Sequence, residues 1–336
     1  MRRRKVLGLL AAAPAIVRPA SAQTDDWSKV VDAARKEGKL LIYTASTGSV
    51  PHKKVIQAFE AKYGIKVDLL EARASEVRER VRVEQSAGRF LGDVHHNGST
   101  TTWLMTRDGN FQPHGPIPNV KNVEAAYEPD DIKIPAEVIS YGVLVNRNLV
   151  KPDDEPKSWK DLLDPKWAGK ILSDDYRALG GGAVFFVVMQ NTFGREYHEK
   201  LAAQKPVFSR DILNSERRVA RGEYPLYLPF NLQNLNNLKG LPVKALVPAE
   251  GRPFVRFDLT VLKNAPRPNA ARLFLNHYLE PESQLVFANA GYNPVIKGVV
   301  EKTIEEIRPL LAAKPMGTTI PERQDEMLEL AKQIYK

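Results

Sequence analysis

The sequence of 336 residues contains no cysteine. This absence excludes a disulfide scaffold, a thiolate metal site, an iron–sulfur cluster, a cysteine nucleophile and lipid attachment through an N-terminal cysteine. Motifs typical of catalysis are also missing: the sequence has no G-x-S-x-G elbow, no G-x-x-x-x-G-K-[ST] phosphate loop and no H-E-x-x-H metal pair. We therefore predict that the protein is not an enzyme and needs no cofactor.

No apolar run reaches the ~20 residues that a membrane-spanning helix needs. The hydrophobic fraction of 43% and the charged fraction of 26% match globular proteins and exclude disordered and collagen-like chains. At roughly 100–200 residues per domain, the length indicates two domains or one large one. The chain shows no internal repeat and no low-complexity segment.

The first 22 residues have the pattern of a cleavable export signal. Residues 2–5 are basic, residues 6–13 are apolar, and Ala20-Ser21-Ala22 is a small-residue cleavage site. The adjacent arginines resemble a twin-arginine signal, and an ordinary Sec signal is the alternative. Without the leader's five basic residues, 44 basic residues stand against 40 acidic ones, so the rest of the chain carries +4. This small excess argues against a nucleic-acid partner.

Strand and helix patterns alternate along the chain, as in βαβ units with a mainly parallel sheet. The apolar run 40–44 reads as a buried strand, a polar loop follows it, and Pro51 opens a helix that Gly64 ends. Two further stretches, 137–146 and 254–262, are β-rich and lie between the α/β blocks. They could carry the chain from one lobe to another and back.

Six segments, in this order and spacing, resemble one family. They are 41–44 (LIYT), 58–67 (AFEAKYGIKV), 141–146 (YGVLVN), 158–171 (SWKDLLDPKWAGKI), 219–223 (VARGE) and 269–274 (NAARLF). The family is the periplasmic solute-binding proteins of ABC transporters, in the subgroup that includes ferric-iron-binding proteins and relatives for small organic or phosphorylated solutes.

This resemblance implies an α/β protein with the type II periplasmic binding protein fold, in which two hinge strands join two α/β lobes around a ligand. Lobe one would comprise residues 23–139 and 253–336, and lobe two residues 140–252. The protein would be an exported, soluble, periplasmic monomer. Its partners would be a small-molecule ligand and an ABC transporter permease in the inner membrane.

Ligands of open α/β sheets lie beyond the carboxyl ends of strands, where helix N-termini favour anions. Two hydroxyl-rich loops fit that position. Ser46 and Thr47 precede the helix that Pro51 opens, and Ser99 and Thr100 follow a short strand. We expect these side chains to bind the ligand. The alternative is that they cap helices or contact solvent.

A glycine-rich loop at 173–182 is a third candidate. Gly181 would allow close backbone approach, as in anion-binding loops. Arg177 could hold a carboxylate or phosphate through two hydrogen bonds, with Asp175 beside it. The alternative is a surface ion pair between Arg177 and Asp174 or Asp175.

The fourth candidate loop contains Asn231. In the iron-binding relatives this region supplies two adjacent tyrosines that bind ferric iron, whereas here it contains Phe230 and Asn231. Ferric iron favours anionic oxygen ligands, which neither side chain supplies. We expect Asn231 to donate a hydrogen bond to an organic ligand, and Tyr292 either to form part of the cleft wall or to pack in the core.

Tyr141 and Arg256 lie in the two crossing stretches and are the candidate hinge residues, with Arg256 able to pair with Asp258. We expect no metal site. His52 lies on the first turn of a helix, where it is expected to be solvated. His95 and its neighbour His96 lie on a strand and therefore face opposite sides of it.

The prediction is thus a periplasmic binding component of an ABC importer that takes up a small, anionic solute. Ferric iron is the alternative ligand within this class. An exported hydrolase that uses Asp174, Asp175 or a histidine, and a sensor partner that signals to a receptor, are alternatives from other classes.

Overall fold

The computed structural model describes residues 27–124, 127 and 129–336, so the predicted leader lies outside the described residues. The helices are α1 Trp27–Glu37, α2 Val50–Tyr63, α3 Ala74–Ser86, α4 Ser99–Arg107, α5 Gly181–Phe193, α6 Arg195–Ala203, α7 Ile212–Ala220, α8 Pro268–Tyr278, α9 Pro281–Asn289, α10 Arg308–Ala312 and α11 Gln324–Ile334. The strands are β1 Lys39–Thr44, β2 Lys66–Glu71, β3 Val94–Gly98, β4 Phe111–Gln112, β5 Lys133–Asn146, β6 Ile171–Asp174, β7 Val207–Ser209, β8 Leu226–Asn231, β9 Val243–Leu246, β10 Arg252–Leu262 and β11 Pro315–Gly317. Within these residues, no helix is both long and apolar enough to cross a bilayer.

The described strands form a single sheet in the order β2-β1-β3-β10-β5-β8-β6-β7, with β4 and β11 beside β10 and β9 beside β5. The pairs β1–β2, β1–β3, β6–β7 and β6–β8 are parallel. The parallel pairs thus lie on both sides of the centre, as the alternating helix and strand patterns predicted. The α/β class is confirmed.

The two β-rich stretches at 137–146 and 254–262 are the strands β5 and β10, which lie at the centre of the sheet. They pair antiparallel from Ser140 opposite Phe254 to Lys133 opposite Thr260. On one side β10 pairs with β3, and on the other β5 pairs with β8 and β9. Each half of the sheet is therefore attached through these two long strands.

Helix α2 shows how local sequence sets an element beside the site. Ser49 caps its N-terminus, Pro51 occupies the first turn, and Gly64 ends it with φ of 71°. Pro suits the first turn because its missing N–H would have no helical partner there. Val55 and Phe59 are buried against the sheet. Each such side chain contributes about 1.5–3 kcal/mol through burial.

Separate hydrophobic cores lie under the two halves of the sheet. The first includes Phe59 and Phe274, whose rings meet edge to face with centroids 5.2 Å apart. The second surrounds Trp159 and α5, a helix that is buried almost all round. Helix α11 packs into this second core through Met327 and Ala331. The C-terminal helix therefore contacts the middle segment of the chain rather than the first core.

Candidate functional site

A cavity of about 790 Å³ lies between three segments: the loop that joins β1 to α2, the segment that follows β8, and the end of α9. Ile139 of β5 and Phe257 of β10 also line it, so the central strands contribute to its wall. The lining residues are 45–51, Lys54, Ile139, Leu213, Gln233, Asn234, Asn236, Asn237, Lys239, Phe257, Val286, Asn289, Ala290, Tyr292 and Ile304. A few hundred to about 1,000 Å³ is the usual volume of a small-molecule site.

A second cavity, of about 820 Å³, lies at Trp27 and the proline-rich residues 113–118. None of the site residues predicted from the sequence lines it. The cavity beside α2 is therefore the candidate functional site.

The loop of residues 45–49 forms one wall, and its backbone is held from outside the cavity. The Ser46 N–H donates to Thr44 Oγ1 at 3.0 Å, and the Gly48 N–H donates to Glu71 Oε1 at 2.9 Å. Ser49 Oγ accepts from the His52 N–H at 3.4 Å as the cap of α2. Ser46 and Thr47, which the sequence proposed as ligand contacts, both lie in this wall.

The opposite wall is rich in side-chain amides. A 3-10 helix at Leu232–Leu238 buries its two leucine ends and leaves Gln233, Asn234, Asn236 and Asn237 to line the cavity. Gln233 Oε1 is buried and has no hydrogen-bond partner among the described residues. An unpaired buried acceptor is costly, so this oxygen is suited to a ligand donor.

Sequence reasoning proposed Asn231 in this region and missed the four amides that follow it. Asn231 ends β8, opposite Tyr141 of β5, and is not part of the lining. The missed signal was the density of amides in the run NLQNLNN, directly after the carboxyl end of a strand. Amides at that edge can both donate and accept hydrogen bonds.

The charge of the lining is positive. Lys54 on α2 and Lys239 after the amide segment contribute two ammonium groups, and none of the described lining residues is Asp or Glu. Lys239 contacts Glu306 only at 3.9 Å, with both side chains exposed, so this pair is weak. The cavity therefore favours an anion over a cation.

The end of α9 and the residues after it form the third wall. Tyr292 lies in this wall, as the cleft-wall alternative for this residue predicted. Burial raises its pKa to about 12, the charge of Glu137 adds to this, and a hydrogen bond with Ser49 opposes it. The phenol is therefore protonated near neutral pH.

The third wall meets the amide wall at Gly291. Its φ is +89°, and a Cβ at this position would lie 2.7 Å from the Cα of Gln233. Both observations require glycine. The two walls therefore meet backbone to backbone.

The second hydroxyl-rich pair lies elsewhere. Ser99 and Thr100 begin α4, and Thr100 Oγ1 lies 3.2 Å from Thr319 Oγ1. Neither residue lines the cavity. Gly98, directly before them, pairs with the lining residue Phe257 in the neighbouring strand.

Arg177 forms the surface ion pair that was the alternative to ligand binding. Its Nε donates to Asp175 Oδ1 at 2.8 Å, its Nη1 donates to the Tyr335 carbonyl at 3.2 Å, and its guanidinium lies over the ring of Phe208. Burial raises the pKa of Asp175, but the hydrogen bonds and charge of Arg177 outweigh this effect and lower it overall. Arg177 and Asp175 thus hold each other outside the cavity.

The glycine-rich loop is likewise occupied by a side chain of the protein itself. Asp174 Oδ2 accepts from the Gly182 N–H at 2.7 Å, and its Oδ1 accepts from the Asp175 N–H at 2.9 Å. This carboxylate lies at the N-terminus of α5, where a bound anion was expected. Gly181 packs directly against the ring of Tyr141. A Cβ at position 181 would lie only 2.8 Å from Tyr141 Cε1.

The candidate hinge residues Tyr141 and Arg256 lie on the central strands β5 and β10. Tyr141 is buried, which raises the pKa of its phenol, and the charge of Asp174 adds to this. Arg256 Nε donates to Asp258 Oδ1 at 2.6 Å, so the pairing predicted from the sequence is confirmed. Arg256 also donates to the Tyr127 carbonyl at 2.6 Å.

The expectation that His52 is solvated was wrong. His52, His95 and His96 are all fully buried. Burial lowers the pKa of His52 and, with a smaller effect of His96, lowers that of His95 to about 3. His52 is covered by Tyr278 of α8, 226 residues away in sequence, which no local pattern could indicate. Among the described residues, no group of three or more His, Asp and Glu side chains could hold a metal ion.

A buried carboxylic acid supports the amide wall. Asn234 Nδ2 donates to Glu216 Oε1 at 2.6 Å, and Glu216 is 1% exposed. Burial raises the pKa of Glu216 from 4.5 to about 7, although the Asn234 hydrogen bond and the charge of Arg217 oppose this. The folded protein thus binds this proton more tightly than the unfolded chain, and the stability it provides is lost as the pH rises through about 7.

We expect Glu216→Gln to remove this pH dependence. Between pH 5 and pH 8 the wild type should lose about 2–3 kcal/mol of unfolding free energy relative to the variant, because the unfolded chain ionises this carboxyl above pH 4.5 while the buried acid keeps its proton up to about pH 7. Urea unfolding at both pH values measures the difference. Glu196→Gln, at an exposed pair on α6, is the control and should follow the wild type. Parallel profiles for wild type and Glu216→Gln would contradict the prediction.

Comparisons with known proteins agree with this fold. A family model of bacterial extracellular solute-binding proteins matches residues 104–314. An uncharacterized protein of Haemophilus influenzae is 24% identical over 269 residues, which are 76% of this chain and 77% of that protein. Iron uptake protein A1 of Synechocystis is 32% identical over 117 residues, which are 34% of this chain and 31% of that protein.

Solved structures show the same architecture. The Trichodesmium protein IdiA (FutA), in complex with iron and citrate, has a TM-score of 0.75 at 20% identity and covers 89% of this chain and 100% of its own. Iron-bound HitA from Pseudomonas aeruginosa has a TM-score of 0.72 at 20% identity, with 88% and 99% covered. The resemblance drawn from the six segments and the expected fold are both confirmed. The chain belongs to the family of bacterial extracellular solute-binding proteins and has the type II periplasmic binding protein fold.

Proposed function

We propose that this protein is the periplasmic binding component of an ABC importer and captures a small organic anion in the 790 Å³ cavity. The observation that carries the proposal is the lining: Lys54 and Lys239 face a cavity with no carboxylate among its described residues. Charged donors bind carboxylates and phosphates more strongly than neutral ones do. Amides and hydroxyls on two walls would bind the remaining polar groups of the solute.

The two halves of the sheet would act as lobes that close on the ligand by bending at β5 and β10, near Tyr141 and Arg256. In this division residues 140–252 form lobe two, and helix α11, which the sequence placed in lobe one, is assigned to lobe two as well, since it packs into the core around Trp159. Hinge closure of this kind buries a ligand and presents a closed surface to a partner. That partner would be the inner-membrane permease, which a monomer exported by the leader at 1–22 would meet in the periplasm.

Ferric iron is the second candidate, because one relative is an iron uptake protein and two similar structures contain iron. The lining offers a single phenol, Tyr292, which burial keeps protonated, and no carboxylate. Ferric iron favours anionic oxygen ligands. Iron would therefore enter this cavity as a complex with an organic anion, and the positive lining would contact that anion.

The test is native mass spectrometry with metal analysis on protein exported by its own leader, followed by thermal unfolding with added solutes. The solutes are inorganic phosphate, glucose 6-phosphate, glycerol 3-phosphate, citrate, ferric citrate and the neutral sugar glucose. A bound ligand raises the melting temperature through linkage. We expect at least one organic anion to raise it and glucose to leave it unchanged. A shift with ferric citrate alone, together with stoichiometric iron, would favour the iron alternative, and turnover of a solute would indicate an enzyme.

A further inference from the structure

A chain of buried polar side chains lies behind the loop of residues 45–49. Thr44, His52, His96, Glu137 and Tyr278 are each at most 1% exposed, and none of them lines the cavity. They come from five different elements: β1, α2, β3, β5 and α8. Hydrogen bonds between buried polar groups are strengthened by the low local dielectric and hold their neighbours in place.

One branch of this chain joins the cavity wall to the central strand β5. The Ser46 N–H donates to Thr44 Oγ1 at 3.0 Å, and Thr44 Oγ1 lies 2.9 Å from His96 Nδ1. His96 Nε2 lies 3.0 Å from Glu137 Oε1 and 3.1 Å from Glu137 Oε2. Three successive hydrogen bonds thus connect the backbone of a cavity-lining residue to a carboxylate on β5.

The second branch joins the other end of the loop to the same carboxylate. The Tyr278 O–H donates to Glu137 Oε2 at 3.0 Å, and His52 Nδ1 lies 3.1 Å from the Tyr278 oxygen. His52 follows Pro51 in the first turn of α2, and its ring stacks on that of His96 with centroids 4.6 Å apart. Glu137 is therefore connected to the Ser46 backbone through one branch and to the start of α2 through the other.

Taking Glu137 as the common hydrogen-bond acceptor gives one consistent assignment of the protons on the two rings. With the Glu137 carboxyl as acceptor, a neutral His96 donates from Nε2–H, and its Nδ1 accepts from the Thr44 hydroxyl. The Tyr278 O–H donates its hydrogen bond to Glu137, so the Tyr278 oxygen accepts from His52 Nδ1–H. His52 Nε2 is then unprotonated, which agrees with its having no partner among the described residues. The two stacked rings have opposite tautomers.

We propose that Glu137 is a positioning residue for ligand binding, which acts through His96 and Thr44 on the Ser46 backbone and through Tyr278 and His52 on the start of α2. This inference rests on the proposed function, since it concerns the same cavity. Glu137 lies on a strand shared by both halves of the sheet. The carboxylate thus sets the position of one cavity wall relative to that strand.

The first test is Thr44→Val, with Thr260→Val as a matched control. Thr260 is also a fully buried strand threonine beside a histidine, at 3.4 Å from His95 Nδ1, but that pair has no hydrogen bond to the loop. We expect Thr44→Val to speed hydrogen exchange of the Ser46 amide about three- to tenfold, the effect of losing one hydrogen bond. Thr260→Val should leave that amide unchanged. Equal exchange in the two variants would overturn the proposal.

The second test is the histidine tautomers, measured by long-range ¹⁵N–¹H correlation spectra of wild type and Glu137→Gln. We expect His96 as Nε2–H and His52 as Nδ1–H in the wild type, with the nitrogen shifts of both rings changed in the variant. A wild-type His96 protonated on Nδ1 alone would overturn the proposal. Neither this spectrum nor the amide exchange needs a ligand.

The third readout is affinity for glucose 6-phosphate and for citrate. We expect Thr44→Val to weaken whichever anion the wild type binds by about three- to tenfold and Thr260→Val to leave it unchanged. If the wild type binds one of them and Thr44→Val binds it equally well, the positioning role is wrong. If the wild type binds neither, the proposed function fails for these anions, and the exchange and tautomer data still decide the hydrogen-bond chain.

Discussion

Replacing both Lys54 and Lys239 by glutamine should weaken binding of the organic anion by about 100-fold or more. Each ammonium that contacts a carboxylate or phosphate contributes about 1.5–3 kcal/mol, and about 1.4 kcal/mol corresponds to tenfold in affinity. The two lysines lie in different walls of the cavity. Each single replacement should therefore cause about half of the loss in binding free energy that the double replacement causes. Isothermal titration with the anion that stabilises the wild type measures the effect.

Two controls sharpen this prediction. Lys53→Gln removes the neighbouring lysine, which lies 3.3 Å from Glu71 and is not part of the lining. Arg177→Gln removes the guanidinium that pairs with Asp175. Both should bind within about twofold of the wild type. A large loss with Arg177→Gln and none with the lysine variants would contradict the cavity assignment and support the glycine-rich loop instead.

Trp159→Ala should lower the free energy of unfolding by about 3–5 kcal/mol, the usual cost of deleting a buried aromatic side chain. Trp159 is fully buried and packs on Phe185, with ring centroids 5.3 Å apart. Its Nε1–H donates to the Gly251 carbonyl at 2.9 Å, directly before β10. The substitution therefore leaves a cavity and an unpaired carbonyl at the start of a central strand.

Urea unfolding followed by circular dichroism measures this effect, since the substitution also changes fluorescence. Trp103→Ala is the matched control: Trp103 is only partly buried on α4, under the guanidinium of Arg107 at 5.5 Å. We expect it to lose about 1 kcal/mol or less. A loss at Trp159 no larger than that at Trp103 would show that the second core does not depend on this side chain.

The elements beside the site could be predicted because their signals are local. Ser49, Pro51 and Gly64 mark both ends of α2 in the sequence, and β-rich composition marks β5 and β10. The position of Ser46 and Thr47 followed from a general rule, since the loop after a parallel strand lies at the ligand edge of the sheet.

The other site predictions depended on distances that the sequence does not contain. Arg177 pairs with Asp175 because their side chains lie 2.8 Å apart in the folded chain, and the sequence does not contain that distance. The amide wall lies on a 3-10 helix, which has neither the 3.6-residue nor the two-residue period that sequence patterns reveal.

The backbone contact between Gly291 and Gln233 has a consequence for how solute preference can diverge. Because the junction itself is a contact between backbones, the approach of residue 291 to residue 233 does not depend on which side chain occupies position 237. Substitutions there can change the shape and hydrogen bonding of the cavity while the junction stays fixed. Evolution could in this way exchange one imported nutrient for another without redesigning the closure of the protein.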